Sequence, residues 1–208
     1  MLNDEIKKVI TEIDWTKSVS IVNSVSFLSL ALQEFDATYD KLDKLSASEI
    51  QTLRYSALLL SIAGFHYAIL DVNKPSIESE MYIRYSDWIL TTPLLLLVLG
   101  QFYNIPMETI KLWIVLDLIM IGGGIVYEKT DNLNYWAIGV VSYIALLGLL
   151  FKQLPEYDLL WRYFVIGWGF YGIIALLPVE QRFFWFNILD FYNKFVFAYD
   201  IRLRILNK

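Results

Sequence analysis

The chain has 208 residues, of which 57% are hydrophobic, 16% aromatic and 19% charged; soluble domains carry about 45–50% apolar residues, so this composition belongs to a membrane protein. With no cysteine and a single histidine, disulfides, thiolate nucleophiles and Cys- or polyHis-based metal centres are excluded, and no metal site is expected. A net charge of −5 without any basic block argues against nucleic acid as a partner.

Residues 1–16 place Leu2, Ile6, Val9, Ile10 and Ile13 at helical spacing, with charged residues between them. That pattern predicts a short amphipathic helix lying on the interface or closing one mouth of the structure. Its early acidic residues and broken apolar pattern predict no cleavable signal peptide. Seven apolar segments follow, at about 18–34, 51–71, 83–103, 108–127, 133–151, 159–178 and 183–201, each about the length needed to cross ~30 Å of hydrocarbon. The joints between them are short and polar, which makes consecutive segments antiparallel neighbours. The expectation is an all-α membrane protein, with residues 1–208 forming one up-and-down seven-transmembrane helix bundle. Lys and Arg lean slightly towards the C-terminal side, which favours an N-terminus outside and a C-terminus in the cytoplasm.

The first span carries Asn23, Ser26, Ser29 and Gln33 near one face, read either as close helix packing or as a water-bearing seam. The second contains the sole histidine, His66, followed by Tyr67. In the third, Arg84, Asp87 and Thr91 stack along one helical face, and Pro93 is tolerable inside the span because neighbouring helices can satisfy the carbonyl it frees. The seventh holds Asp190 and Lys194 at i and i+4, one turn apart. Charges inside a span cost roughly 2.5–3.5 kcal/mol each on insertion scales and mark functional sites. Two readings of this pair stand side by side: a self-neutralising salt bridge, and a desolvated lysine whose amine condenses with an aldehyde.

The third-span string RYSDWILTTPLLLL closely resembles the third helix of microbial rhodopsins, and the final span with Asp190 and Lys194 resembles their retinal-bearing seventh helix. Supporting similarities are DLIMIGGG in the fourth span, YWAIG in the fifth and GWGFYG in the sixth. The dipeptide at 66 and 67 and the run 190–194 look most like the proteorhodopsin branch, and the small size resembles the rhodopsins of large algal viruses. The resemblance implies all-trans retinal bound covalently to Lys194 as a protonated Schiff base, with Asp87 and Asp190 as counterions. It further implies that Thr91 bonds the Asp87 carboxylate, that Arg84 balances the outer side of the cluster, and that His66 shares a hydrogen bond with Asp87. Trp88, Trp136, Trp168 and Tyr171 would box the polyene. Gly124 and Met120 would make room for its ring, Leu95 would set green absorption, and Tyr67, Thr92 and Asn193 would complete the site.

Departures bear on mechanism. Val98 stands where outward proton pumps of the family carry a carboxylic proton donor, and Gly172 and Ala175 replace bulkier residues on the sixth span. The missing donor, the polar first span, the acidic residues Glu34, Asp36 and Glu49 and the viral resemblance favour a light-gated cation channel. The Arg84, Asp87, Thr91 and His66 set favours a light-driven outward proton pump, and a sensory photoreceptor fits a donorless cycle. An enzyme forming an imine on another carbonyl is the remaining, disfavoured class. The expected partners are the lipid bilayer and protons or small monovalent cations, with a homo-oligomer left open.

Overall fold

The computed structural model describes residues 15–40, 43–73 and 76–207; the expected amphipathic helix at 1–16 falls almost wholly outside them. Seven helical rods run in order: α1 (Trp15–Asp40), α2 (Ala47–Asn73), α3 (Ile77–Phe102), α4 (Met107–Thr130), α5 (Leu133–Gln153), α6 (160–174) and α7 (179–206). No strand occurs among the described residues. Several rods outrun the apolar segments that announced them, because helix continues through polar residues until a turn residue stops it. At α3 the start is set by Ser76, whose side chain accepts from the Ser79 amide. Asn132 does the same for α5 through the Asn134 amide at 3.0 Å. Between α4 and α5, Asp131 takes a left-handed conformation (φ 52°) that ends the first helix and lets the second begin two residues later.

Among the described residues, four helices are long and apolar enough on their own to cross a membrane: Ala47–Leu70, Ser79–Phe102, Met107–Thr130 and Leu133–Gln153. The others carry more polar residues, and the fold turns many of these inward. Val25 is 64% exposed, Leu32 70%, Phe65 69% and Val141 67%, whereas Asp87, Asp117, Asp190 and Lys194 are each 2% exposed or less. Apolar outside and charged inside is the arrangement a bilayer stabilises. On the α4–α5 seam, a side chain at Gly123 would meet the Tyr135 carbonyl at 2.7 Å and the Gly139 nitrogen at 3.0 Å. Glycine there is what lets the two backbones touch, and Ser142 fastens the seam by donating to the Leu116 carbonyl at 2.7 Å.

Two rods depart from regular α geometry. Leu160–Trp168 in α6 and Phe191–Val196 in α7 are wound in wider, π-type turns, a deviation that concentrates at functional sites. The second of these contains Lys194.

Candidate functional site

At mid-depth, α7 presents Lys194 and Asp190 one turn apart, and α3 presents Asp87 opposite them. Lys194 Nζ donates to Asp190 Oδ2 at 2.9 Å and to Asp87 Oδ2. The two carboxylates are treated unequally. Asp190 also accepts from Tyr67 Oη at 2.9 Å, from Trp88 Nε1 at 3.1 Å and from Tyr171 Oη, so donors from α2, α3, α6 and its own helix converge on its two oxygens. Asp87 has only the lysine, and its Oδ1 is buried without a hydrogen-bond partner among the described residues. One carboxylate is saturated; the other keeps an oxygen free to take a proton.

A cavity of about 290 Å³ lies against Lys194, walled by α3, α4, α5, α6 and α7. Trp88, Thr92, Leu95, Met120, Gly124, Trp136, Trp168 and Tyr171 all lie on its wall, as do Gly172 and Ala175, together with Tyr85, Tyr143 and Phe186, which were not singled out from the sequence. Thr92 Oγ1 donates to Asp117 Oδ2 at 2.7 Å, tying α3 to α4 beneath the wall. Where bulk is missing at Gly172, its carbonyl accepts from Trp136 Nε1 at 3.0 Å. An apolar slot closed at one end by an amine and two carboxylates fits an apolar polyene aldehyde: the slot takes the chain, the amine takes the carbonyl carbon, and the carboxylates balance the resulting cation.

Of the remaining expected residues, Thr91 and His66 take other partners than the resemblance implies. Thr91 Oγ1 donates to the backbone carbonyl of Asp87 at 2.9 Å and not to its carboxylate, because a helical threonine reaches the carbonyl one turn back most easily. His66 Nδ1 stands 3.8 Å from Asp87 Oδ1, too far for a hydrogen bond. It pairs instead with the Ile62 carbonyl at 2.9 Å, and Nε2 faces Ser86 Oγ at 3.2 Å. Asn193 is buried with both amide atoms unpartnered among the described residues, against the space that Gly167 leaves empty. Arg84 does carry a balancing charge, but its anion is Glu128 of α4, bound at 2.8 Å and also held by Tyr85 Oη at 2.9 Å. The Arg84 guanidinium lies within 4.7–5.5 Å of the ring centroids of Tyr85, Trp88, Phe183 and Phe186, a stacking arginine favours.

Glu128 was hidden in what reads as a polar joint. Two signals could have found it: it continues the inward face of Asp117, Ile121 and Gly124, and Arg84 inside a span required an anion. The polar face of α1 also divides. Asn23 is buried and donates to the Asn187 carbonyl at 2.8 Å, Asn187 donates to Ser20 at 3.1 Å, and Ser24 donates to the Gly64 carbonyl at 3.0 Å. Ser29 and Gln33 face outward, away from the bundle.

A buried lysine between two carboxylates at the end of an apolar slot, within seven antiparallel helices, defines a retinal photoprotein of the microbial rhodopsin class. The family of bacteriorhodopsin-like proteins matches residues 16–203, and the chain belongs to that family. Retinal, carried on a lysine as a Schiff base, is its cofactor, and Lys194 is the buried, ion-paired lysine present here. The chain is 26% identical over 156 residues to a bacteriorhodopsin-II-like protein of Haloquadratum walsbyi, covering 61% of this chain and 63% of that one. It is 36% identical over 115 residues to cruxrhodopsin-3 of Haloarcula vallismortis, covering 50% and 44%. It thus spans about half the length of the curated relatives it matches. Among solved structures the fold superposes on the viral rhodopsin OLPVRII with a TM-score of 0.83 at 18% identity, covering 92% of this chain and 97% of that one. It also superposes on the proton pumping rhodopsin AR2 from the marine alga Acetabularia acetabulum with a TM-score of 0.76 at 23% identity, covering 95% and 98%.

Proposed function

We propose that this chain is one seven-helix domain that spans a membrane with its N-terminus outside and moves protons outward in response to light. When bound, retinal supplies light absorption and makes the Lys194 nitrogen a proton carrier. The observation that carries the reading is the inequality of the two carboxylates around that nitrogen. Asp190, whose two oxygens accept from Tyr67, Trp88, Tyr171 and Lys194, orients the Lys194 N–H. Asp87, with a free oxygen, accepts the proton. Beyond it, towards the N-terminal side, the Arg84 and Glu128 pair offers the next charged station, and Arg84 keeps Nε and Nη1 uncommitted. Several solved proteins that share this fold, AR2 among them, are proton pumps, which supports the same reading.

A light-gated channel is the second reading, favoured by Val98, an apolar residue buried among leucines where a pump of this family would carry a carboxyl group. Against it, of the polar side chains of α1 that would line a wet seam, Asn23 is bound to a neighbouring helix and Ser29 and Gln33 point outward. Light-evoked current recorded across a range of voltages separates the two. Current of one sign throughout, with acidification outside, is expected; a current that reverses with voltage would establish the channel instead, and no current would leave a sensor.

A further inference from the structure

Glu34 of α1 is completely buried, and neither carboxyl oxygen has a hydrogen-bond partner among the described residues. It faces Ser56 of α2, whose buried hydroxyl interacts with the carboxyl group, and the Arg202 guanidinium of α7. A carboxyl group so enclosed, with one hydroxyl and one guanidinium as its polar neighbours, is costly to keep charged. The other buried carboxyl groups on the page are engaged: Asp117 by Thr92, Glu128 by Arg84 and Tyr85.

Three helices place Glu34 on one line with Lys194. On α1, Phe27 stands two turns before Glu34 on the same face and stacks on Phe191 and Phe195, which flank Lys194. On α2, Tyr67, Ala63, Leu60 and Ser56 follow one another along one face, and Tyr67 is bonded to Asp190 at the level of the site. On α7, Lys194, Ala198 and Arg202 are successive turns of one face. Eight residues of helical rise put the Glu34 level about 12 Å from the Lys194 level, towards the C-terminal side. Only Leu30, Ala31, Leu60, Ala63 and Ala198 fill these faces in between, all buried. Alanine supplies most of that plug, so it is thin.

Taking outward proton transport as the activity, we infer that Glu34 is the internal proton source that refills the Lys194 nitrogen from the C-terminal side. The Glu34 O–H bond breaks and an N–H bond forms at Lys194 through water admitted past the alanines. The carboxylate left behind is balanced by Arg202 and retakes a proton from the aqueous phase. A source on α1 accounts for a bundle whose third helix offers only Val98 at this depth.

The test follows refilling by flash spectroscopy in the retinal-loaded protein and, separately, the carboxylic C=O infrared band of the retinal-free protein. In the unaltered chain refilling is expected to be independent of pH across the neutral range. In Glu34→Gln it should slow by roughly tenfold or more and become proportional to proton concentration, with speed restored by added azide, a small mobile acid, and by Glu34→Asp. The retinal-free Glu34→Gln protein should lack one infrared band of a protonated carboxylic acid. Unchanged refilling in Glu34→Gln, or an infrared spectrum with no protonated acid at position 34, overturns the assignment. Absence of light-driven acidification by the unaltered chain would instead sink the transport reading, while the refilling rate and the infrared band would still decide for or against Glu34.

Discussion

The half of the bundle on the N-terminal side and the half on the C-terminal side hold their charges in opposite ways. On the N-terminal side, Arg84, Glu128, Asp87, Asp190 and Lys194 are all buried and, Asp87 Oδ1 and part of Arg84 apart, bound to partners on other helices. On the C-terminal side, the ion pairs of Asp158, Arg162, Asp200 and Arg204 gather at the rim, and inside them stands a largely apolar layer in which Glu34 is buried beside Ser56 and Arg202. A proton leaving Lys194 meets an oxygen at once in one direction and about two turns of hydrocarbon in the other. Such a gradient of polarity biases the first transfer towards the N-terminal side and makes the return the slower step.

The comparison breaks first at its centre. Lys194→Ala removes the amine that both carboxylates serve, and protein supplied with all-trans retinal should show no visible absorption band; a band that survives would end the site assignment. Asp87→Asn should still fold and take colour, because Asp190 remains to balance the cation, but light-driven acidification should fall by ~100-fold or more. Asp190→Asn should behave in the opposite manner. It leaves Tyr67, Trp88 and Tyr171 facing a weaker acceptor and should be the poorer folder of the two, a difference readable in yield and thermal midpoint.

Glu128→Gln tests whether the outer pair holds the fold as well as the charge. Removing one member of a buried pair costs about 3–5 kcal/mol, largely because the other is stranded. The double change Arg84→Gln with Glu128→Gln should therefore cost clearly less than the sum of the single ones, measured by thermal unfolding in a constant detergent. Additivity would mean that Arg84 is held by its aromatic neighbours alone.

What was legible in the sequence follows the same division. The spacing of Asp190 and Lys194 and the string around Asp87 carried the centre of the site, because charges inside an apolar helix have few physical explanations and the family resemblance named one of them. Less legible was anything decided by competition between neighbours. Thr91 and His66 each had a carboxylate within reach in principle, yet both pair with carbonyls in their own helices, which lie nearer. Glu128 was obscured because hydropathy ends a span at the first charged residues, whereas the helix continues to Thr130. Glu34 looked like part of an acidic mouth with Asp36, yet positions two apart on a helix point about 200° apart, and only packing reveals that Glu34 faces inward while Asp36 is exposed.

The smallest effect is expected at the rim, where charge is screened by water. Hydrogen bonds from Arg162 and then from Arg204 hold the Asp158 carboxyl below the usual carboxylate range, linking the start of α6 to the end of α7. A carboxyl group whose pKa is depressed on folding contributes stability that is fully present above its unfolded value, near ~4, and is lost as pH falls through the depressed folded value. Asp158 is 55% exposed, so screening keeps the contribution under about 1 kcal/mol. Arg204→Ala should therefore lower the thermal midpoint slightly at neutral pH, less so in high salt, and the gap from the unaltered chain should close in acid once Asp158 is protonated. A gap that persists in acid would show that Arg204 acts there through packing of its apolar stem, and that the rim, unlike the interior, is not held by charge.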